Sequence, residues 1–317
     1  MSSTKFVLIV PVTVVLLLLL GNSVVASTSI LPSPQKLSQH VYAWIGPLEG
    51  PSEKNHGYRM NLVFVVGSSA VAVIDTGYTP EMAKEMLGHI RKITPLPIRY
   101  AINTSSQPHR YMGNDVFAAS GAETIAHKNS VARMEASGNL FAMAIENILK
   151  KKPSDVKLPK KPTRIIEDDI TLDLGNLDIH IRHMGAAHTP AQLIVEIPND
   201  KLVYTGDLLY SERLLAILDV SDVKNWLAAY DALKQYQDIV FIPGHGQPAS
   251  LEAFEFPTRS YLAMIDSHMS KAVDEMTELQ DAIKSLDQSG YKHLVNFEQL
   301  AGRNANLAYL FYERAGM

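Results

Sequence analysis

The stretch NLVFVVGSSAVAVIDTGYTPEM, residues 61–82, decides the fold class. Two short runs of β-branched and apolar residues, 61–66 and 71–74, are separated by GSSA and predict a β-hairpin. Thr79 is suited to cap a helix, and Pro80 suits the first helical position. Because apolar strands and helices continue to alternate along the chain, the sequence indicates an α/β architecture.

Composition limits the functions that need to be considered. The chain has 317 residues, 46% of them hydrophobic, which is enough for one large core. Its 29 basic and 33 acidic residues give a net charge of -4, so no overall positive field recruits nucleic acid. There is no cysteine, which excludes disulfide bonds and thiolate ligands.

The first 26 residues have the pattern of a secretory signal. A short region containing Lys5 is followed by the apolar run FVLIVPVTVVLLLLLG and by the small-residue site that ends at Ala26. Cleavage after Ala26 would give a secreted or periplasmic protein without a stable membrane anchor. The alternative is a retained anchor, but Pro11 interrupts the run, which is shorter than the ~20 residues that cross a bilayer.

Three polar residues follow apolar strands and lie beside small residues. His188 lies in GAAHTP, Asp207 in YTGDLLY after a strand predicted at 201–204, and His245 in FIPGHG after a strand predicted at 239–242. Side chains at the ends of neighbouring strands can converge on one point. The sequence therefore predicts that these three residues share one site.

The order of these motifs resembles the metallo-β-lactamase superfamily, including hydrolases of the glyoxalase II type. The resemblance runs from about Val41 to Pro248 and includes IDTG, TPEMA, YAINT with the later GN, HTP, TGD and PGHG. It implies a four-layer αββα sandwich over residues 36–250. Residues 251–317 are mostly helical by pattern and are expected to form a C-terminal extension.

Relatives of this family commonly bind two zinc ions. The resemblance implies a loop motif HxHxDH, joined by a later histidine, a bridging aspartate and a final histidine. His188, Asp207 and His245 match the last three.

The loop NTSSQPHRYMGN, residues 103–114, departs from that motif. Its four ligand positions align with Ser105, Gln107, His109 and Arg110. Serine and glutamine are weak zinc ligands beside imidazole, so the metal position built on the first two histidines should be lost.

A hydrolase with a single zinc ion is the first hypothesis. It would act on an ester, thioester or amide of a small-molecule substrate through a water that the ion activates. The predicted metal ligands are His109, His188, Asp207 and His245, and the predicted catalytic residues are Asp207 and Arg110. Arg110, Ser105 and Gln107 are predicted to bind the substrate. Asp75 and His183 are predicted to support the site through hydrogen bonds.

Two alternatives stay open. In one, the protein binds no metal and uses Arg110 and the histidines to hold a small anionic ligand. In the other, Ser105 or Ser106 acts as a nucleophile with His109 as its base, although no glycine-flanked nucleophile turn surrounds these serines. The sequence is compatible with a homo-oligomer and leaves the identity of the substrate open.

Overall fold

The computed structural model describes residues 29–316, and the predicted signal segment lies outside this range. A seven-stranded sheet runs in chain order: β1 (Gln35–Lys36), β2 (Val41–Trp44), β3 (Leu62–Val66), β4 (Val71–Ile74), β5 (Ile98–Ile102), β6 (Glu123–His127) and β7 (Arg164–Ile166). A five-stranded sheet has the order β12, β11, β10, β9, β8, with these bounds: β8 (Ile170–Asp173), β9 (Asp178–His183), β10 (Leu193–Ile197), β11 (Leu202–Tyr210) and β12 (Val240–His245).

Eight α-helices flank the sheets in the described part of the chain: α1 (Pro80–Ile93), α2 (Pro108–Tyr111), α3 (Asn114–Ala119), α4 (Lys128–Leu149), α5 (Val223–Ala232), α6 (Tyr261–Asp274), α7 (Leu279–Ser285) and α8 (Phe297–Ala315). None of the helices within residues 29–316 is both long and apolar enough to cross a membrane.

Three apolar clusters define the layers. The central cluster lies between the sheets and joins residues such as Val63 and Ile102 of the first sheet to Val195 and Ile242 of the second. A second cluster packs α1, α3 and α4 against the outer face of the first sheet. A third packs α5, α6 and α8 against the outer face of the second sheet. This arrangement confirms the predicted αββα sandwich.

Local signals account for the first βα unit. The hairpin of β3 and β4 pairs Val63 with Ile74, as the GSSA turn predicts. The Thr79 hydroxyl accepts a hydrogen bond from Met82 N at 3.2 Å and so caps α1. The apolar face of α1 buries Met82 and Met86 under the sheet.

Parallel strands bring the functional segments to one edge. β4, β5 and β6 are parallel neighbours in the first sheet, and β11 and β12 are parallel neighbours in the second. The carboxyl ends of parallel strands meet at one edge of a sheet, where ligands bind in open α/β folds. Residues 75–77 and 103–107 leave this edge directly after β4 and β5.

β11 differs from the sequence prediction. The predicted strand ended at 204 and left Asp207 in a turn, whereas the observed strand continues to Tyr210. Its pairing with β12 shifts register at Gly206, which has φ 52, a conformation that favours glycine. Asp207 therefore lies inside a bulged, fully buried strand rather than in a turn.

The C-terminal helices pack on the second sheet. A π-helical segment, Glu255–Ser260, leads into α6, and α6 and α8 contact each other as well as the cluster around α5. The boundaries proposed from the sequence at 26, 36 and 250 stay predictions.

A stacked histidine pair joins the two sheets. His127 is the last residue of β6 and His183 the last of β9, and their ring centroids are 3.9 Å apart. His127 Nδ1 accepts the Asn129 amide hydrogen and caps α4. Burial lowers the pKa of both imidazoles, and the charge of His127 lowers that of His183 further.

We expect acidification to weaken the fold through this pair. Because the folded state holds both imidazoles below their ordinary pKa of about 6.5, it binds fewer protons than the unfolded chain, and the free energy of unfolding falls as pH falls below that value. Chemical denaturation at pH 7.5 and 5.5 should show that the free energy of unfolding falls less between these two pH values in His183→Asn than in the wild type. The exposed His56→Asn change is the control and should keep the wild-type loss. An equal loss in all three proteins would contradict the role of the pair.

Candidate functional site

Amide side chains fix the loop that follows β5. Asn103 Nδ2 donates to the carbonyl oxygen of Arg110 at 2.9 Å, and Asn103 and Asn114 exchange two side-chain hydrogen bonds. The Thr76 amide donates to the same carbonyl at 3.0 Å. With Pro108 at the start of α2, the backbone of this short helix is held firmly at the sheet edge.

Arg110 is fully buried, and its guanidinium is the centre of a charged network. Its Nε and Nη2 donate to the two oxygens of Asp207 at 3.0 and 2.6 Å. Its Nη1 donates to Asp75 Oδ2 at 3.0 Å, to the Asn61 carbonyl at 2.9 Å and to the Tyr204 hydroxyl at 2.6 Å. The substrate contact predicted for Arg110 would require it to give up these bonds.

Asp75 braces the loop from β4. Its carboxylate accepts the Thr104 amide at 2.8 Å and the Thr104 hydroxyl at 2.9 Å, and the Tyr204 hydroxyl donates to it at 2.7 Å. Burial raises the pKa of Asp75 to about 6, although the charge of Arg110 opposes the rise. Of the two carboxylates beside Arg110, Asp75 is thus more easily protonated than Asp207.

Asp207 is the more firmly charged of the two. Burial alone would raise its pKa, but the charge of the Arg110 guanidinium opposes burial, and the pKa lies well below its usual range. Arg110 satisfies one lone pair on each carboxylate oxygen. A carboxylate has about four such positions, so the remaining ones can accept other partners.

Two histidines face the remaining lone pairs of Asp207. His109 Nε2 lies 3.3 Å from Asp207 Oδ2, and His245 Nε2 lies 3.3 Å from Asp207 Oδ1. The ligand atoms of these three side chains all lie within 4.8 Å of one another. Within residues 29–316, neither ring nitrogen of His109 has a hydrogen-bond partner, although both are buried.

Backbone carbonyls orient the other two imidazoles. His245 Nδ1 lies 2.7 Å from the Arg59 carbonyl oxygen, and His188 Nδ1 lies 2.8 Å from that of Ala216. A carbonyl can only accept, so each Nδ1 carries the proton and each Nε2 keeps its lone pair. Burial lowers the pKa of His109 to about 3 and that of His188 to about 4, which keeps both rings neutral at ordinary pH.

The donor set fits one zinc ion at His109, Asp207 and His245. Zinc binds imidazole nitrogen at about 2.0–2.1 Å and carboxylate oxygen at about 2.0–2.2 Å, so tetrahedral ligand atoms lie roughly 3.3–3.5 Å apart. The two observed separations of 3.3 Å, one to each oxygen of Asp207, are of this size, and the three candidate ligand atoms lie within 4.8 Å of one another. An unsatisfied, buried His109 Nε2 and a His245 Nε2 freed by its carbonyl bond are what a metal ligand needs.

The other predicted residues have different surroundings. His188 lies in the same cavity but outside the triad of metal-ligand candidates, and Gln107 also lines the cavity. Ser105 Oγ is 3.4 Å from Asp207 Oδ2. His183 stacks on His127, and its backbone amide donates to Asp169.

Comparison with known proteins places this site in a family. The model of the metallo-beta-lactamase superfamily matches residues 57–245, more than half of the chain, and the match includes all the site residues named above. The chain belongs to the metallo-beta-lactamase superfamily.

Curated relatives of this superfamily are distant. The chain is 21% identical over 210 residues to a linear primary-alkylsulfatase from Pseudomonas sp., a match that covers 56% of this chain and 40% of that protein. It is 20% identical over 211 residues to a type 2 metallo-beta-lactamase from Bacillus cereus, covering 65% and 73%. The chain thus spans well under half of the alkylsulfatase.

Solved structures agree on the fold. A metallo-beta-lactamase from Pontibacter korlensis superposes with a TM-score of 0.60 at 18% identity, covering 73% of this chain and 98% of that one. The metallo-beta-lactamase DIM-1 gives 0.58 at 16% identity, covering 74% and 98%. Members of the superfamily typically bind zinc, and this chain keeps a candidate triad for one ion.

Two arginines at this site were not predicted from the sequence. Arg59 and Arg213 line the same cavity as His109 and His245. Burial lowers the pKa of Arg213 to about 10, and the charge of Arg59 adds to this effect, yet the group stays protonated at neutral pH. Single arginines outside the strand-end motifs carry no sequence pattern, so only the folded chain shows where they lie.

We expect loss of Arg110 to destabilise the fold strongly. Arg110→Ala leaves Asp75 and Asp207 buried without their cation, which should lower the free energy of unfolding by about 3–5 kcal/mol. Arg164→Ala is a matched control, because Arg164 pairs with Glu123 at 3.4 Å on the surface and its loss should cost about 0–1 kcal/mol. Denaturant titration measures both. Equal effects would show that the Arg110 network does not stabilise the fold.

Proposed function

We propose that this protein is a hydrolase that uses one zinc ion held by His109, Asp207 and His245. The carrying observation is the pair of 3.3 Å separations from the Asp207 oxygens to the two Nε2 atoms. Both distances are of the size expected between two ligands of one zinc ion. The substituted residues Ser105 and Gln107 favour one ion over the two that are common in the family.

The proposed substrate is a small molecule with an ester, thioester or amide-type bond. When bound, zinc polarises a carbonyl and makes water more acidic. Arg110 fixes the direction of the Asp207 carboxylate and keeps it ionised. His188 is neutral and can accept a hydrogen bond through Nε2 inside the cavity. Burial raises the pKa of Tyr210 well above its usual value, so its hydroxyl stays a donor near Asp207.

A metal-free anion-binding protein is the second candidate. Arg110 already supplies a cation to both oxygens of Asp207, and this network is complete without an ion. In that case the cavity would hold a small anion without hydrolysing it. The unpaired imidazole of His109 favours the metal-dependent candidate, because a buried ring without any partner is costly.

Export is part of the proposal. The N-terminal pattern that ends at Ala26 supports secretion or residence in a periplasm, where zinc would be acquired after or during folding. Assembly into a homo-oligomer is left open.

Zinc analysis of the purified protein tests the proposed function. After zinc is supplied and excess is removed, elemental analysis should find about one equivalent in the wild type. His109→Ala and Asp207→Asn should each retain far less, since three protein ligands are the usual minimum for a catalytic zinc. His56→Ala, at an exposed histidine, is the matched control and should retain the wild-type amount.

Activity is the second readout. A panel of ester, thioester and amide substrates should show hydrolysis that zinc chelation removes and zinc addition restores. Two equivalents of zinc would contradict a mononuclear site. No zinc retention by the folded wild type would favour the anion-binding candidate, and one equivalent without hydrolysis of any member of the panel would count against the hydrolase.

A further inference from the structure

The cavity at the site has two chemically different parts. Its volume is about 470 Å³, enough for a small organic molecule rather than a macromolecule. The imidazoles of His109, His188 and His245 contribute to its lining. The remainder combines arginine side chains with apolar ones.

Arg59 and Arg213 give the cavity a positive charge that no ion pair within residues 29–316 compensates. Arg213 is only 3% exposed, and the Nε atoms of both arginines are buried without hydrogen-bond partners in the described chain. Neither forms an ion pair within residues 29–316, whereas Arg110 beside them is paired with Asp75 and Asp207. Buried guanidinium groups normally pair with an anion.

The nearby carboxylates do not neutralise the positive charge of Arg59 and Arg213. Asp75 and Asp207 carry two negative charges against one on Arg110, and the two unpaired arginines make the local sum positive even without a metal ion. One carboxylate or sulfate group can accept from both guanidinium groups, because such oxyanions accept paired N–H bonds. Arg213 Nη1 also lies 3.5 Å from His245 Nδ1, but that neutral ring supplies no negative charge.

Part of the cavity lining is apolar and comes from separate elements. Phe141 and Ile148 belong to α4, Leu218 lies in the segment before α5, and Leu300 belongs to α8. These side chains are partly buried and line the cavity. Leu300 lies outside residues 57–245, so the C-terminal helix adds a wall that the family match does not include.

We propose that the cavity binds an amphiphilic anion, with its oxyanion head at Arg59 and Arg213 and an apolar chain against Phe141, Ile148 and Leu300. This inference deepens the proposed function. That such a molecule is also the substrate rests on the proposed function. The binding itself requires only the two arginines and the apolar wall.

Calorimetric titration of the full purified protein tests the binding, with and without added zinc. Octanoate and octyl sulfate, below their micelle concentrations, are the probes, and they distinguish a carboxylate from a sulfate head. At least one should bind at a single site. Octanol, which lacks the charge, and inorganic sulfate, which lacks the chain, should each bind at least about tenfold more weakly, a difference of about 1.4 kcal/mol.

Variants separate the two parts of the cavity. Arg59→Met and Arg213→Met should each weaken binding of the preferred probe by about tenfold or more, and Arg213→Lys should weaken it less because the charge is kept. Phe141→Ser should weaken binding of the eight-carbon probe but not of butyrate. Arg99→Met, at an exposed arginine outside the cavity, is the control and should bind as the wild type does.

Several results would overturn the inference. Equal affinity for octanol and octanoate would do so, and so would equal affinity for inorganic sulfate and octyl sulfate. Unchanged binding in Arg59→Met would also do so. Arg59 is a half-buried loop residue, so this variant should fold even if Arg213→Met does not. The titration measures binding without catalysis. A failure of this inference can therefore be distinguished from a failure of the proposed zinc-dependent hydrolysis.

Discussion

The buried ion pair between Arg110 and Asp207 is the interaction on which the site depends. Arg110 comes from the short helix α2 that follows β5 of the first sheet, and Asp207 comes from the bulged strand β11 of the second, so their two hydrogen bonds connect the sheets at the functional edge. A charge pair without water is stable only when each remaining donor and acceptor has a partner. Asp75 and Tyr204 supply those partners on the Arg110 side, which makes the carboxylate of Asp207 a fixed feature of the core. What remains of its bonding capacity faces His109 and His245.

This geometry is compatible with the proposed metal site despite the departures of the loop from the family motif. Ser105 and Gln107 stand where relatives have histidines, and His109 stands where they have an aspartate, yet His109, Asp207 and His245 still form a candidate ligand set. Arg110 does not compete with that set for the same lone pairs, because a carboxylate can accept from an arginine and bind a cation through different positions. The positive charge of Arg59 and Arg213 nevertheless opposes a second cation and favours an anionic ligand beside the first. The proposed single ion and the proposed anionic ligand are both consistent with this electrostatic balance.

Much of the fold was predictable because its signals are local. The GSSA hairpin, the Thr79 cap and the apolar runs of β5, β9 and β10 all depend on neighbours in sequence, and the family motifs placed them in an αββα sandwich. The proximity of Asp207 and His245 was also predictable from their positions near strand ends, whereas His109 was found through the resemblance of its loop to the family motif, and His188 lies in the cavity outside the triad. The length of β11 was not, because TGD looks like a turn and only pairing with β12 extends the strand through Gly206. The burial of Arg110, the unpaired Arg59 and Arg213, and the contribution of α8 to the cavity all depend on contacts between distant segments, which no local pattern encodes.

Anomalous scattering at the zinc edge, from crystals grown with zinc, tests the central claim most directly. The account predicts one peak per chain, about 2.0–2.2 Å from His109 Nε2, an Asp207 oxygen and His245 Nε2, with Arg110 still bound to Asp207. Two peaks, a peak at His188 without His109, or no peak in a folded chain would contradict it.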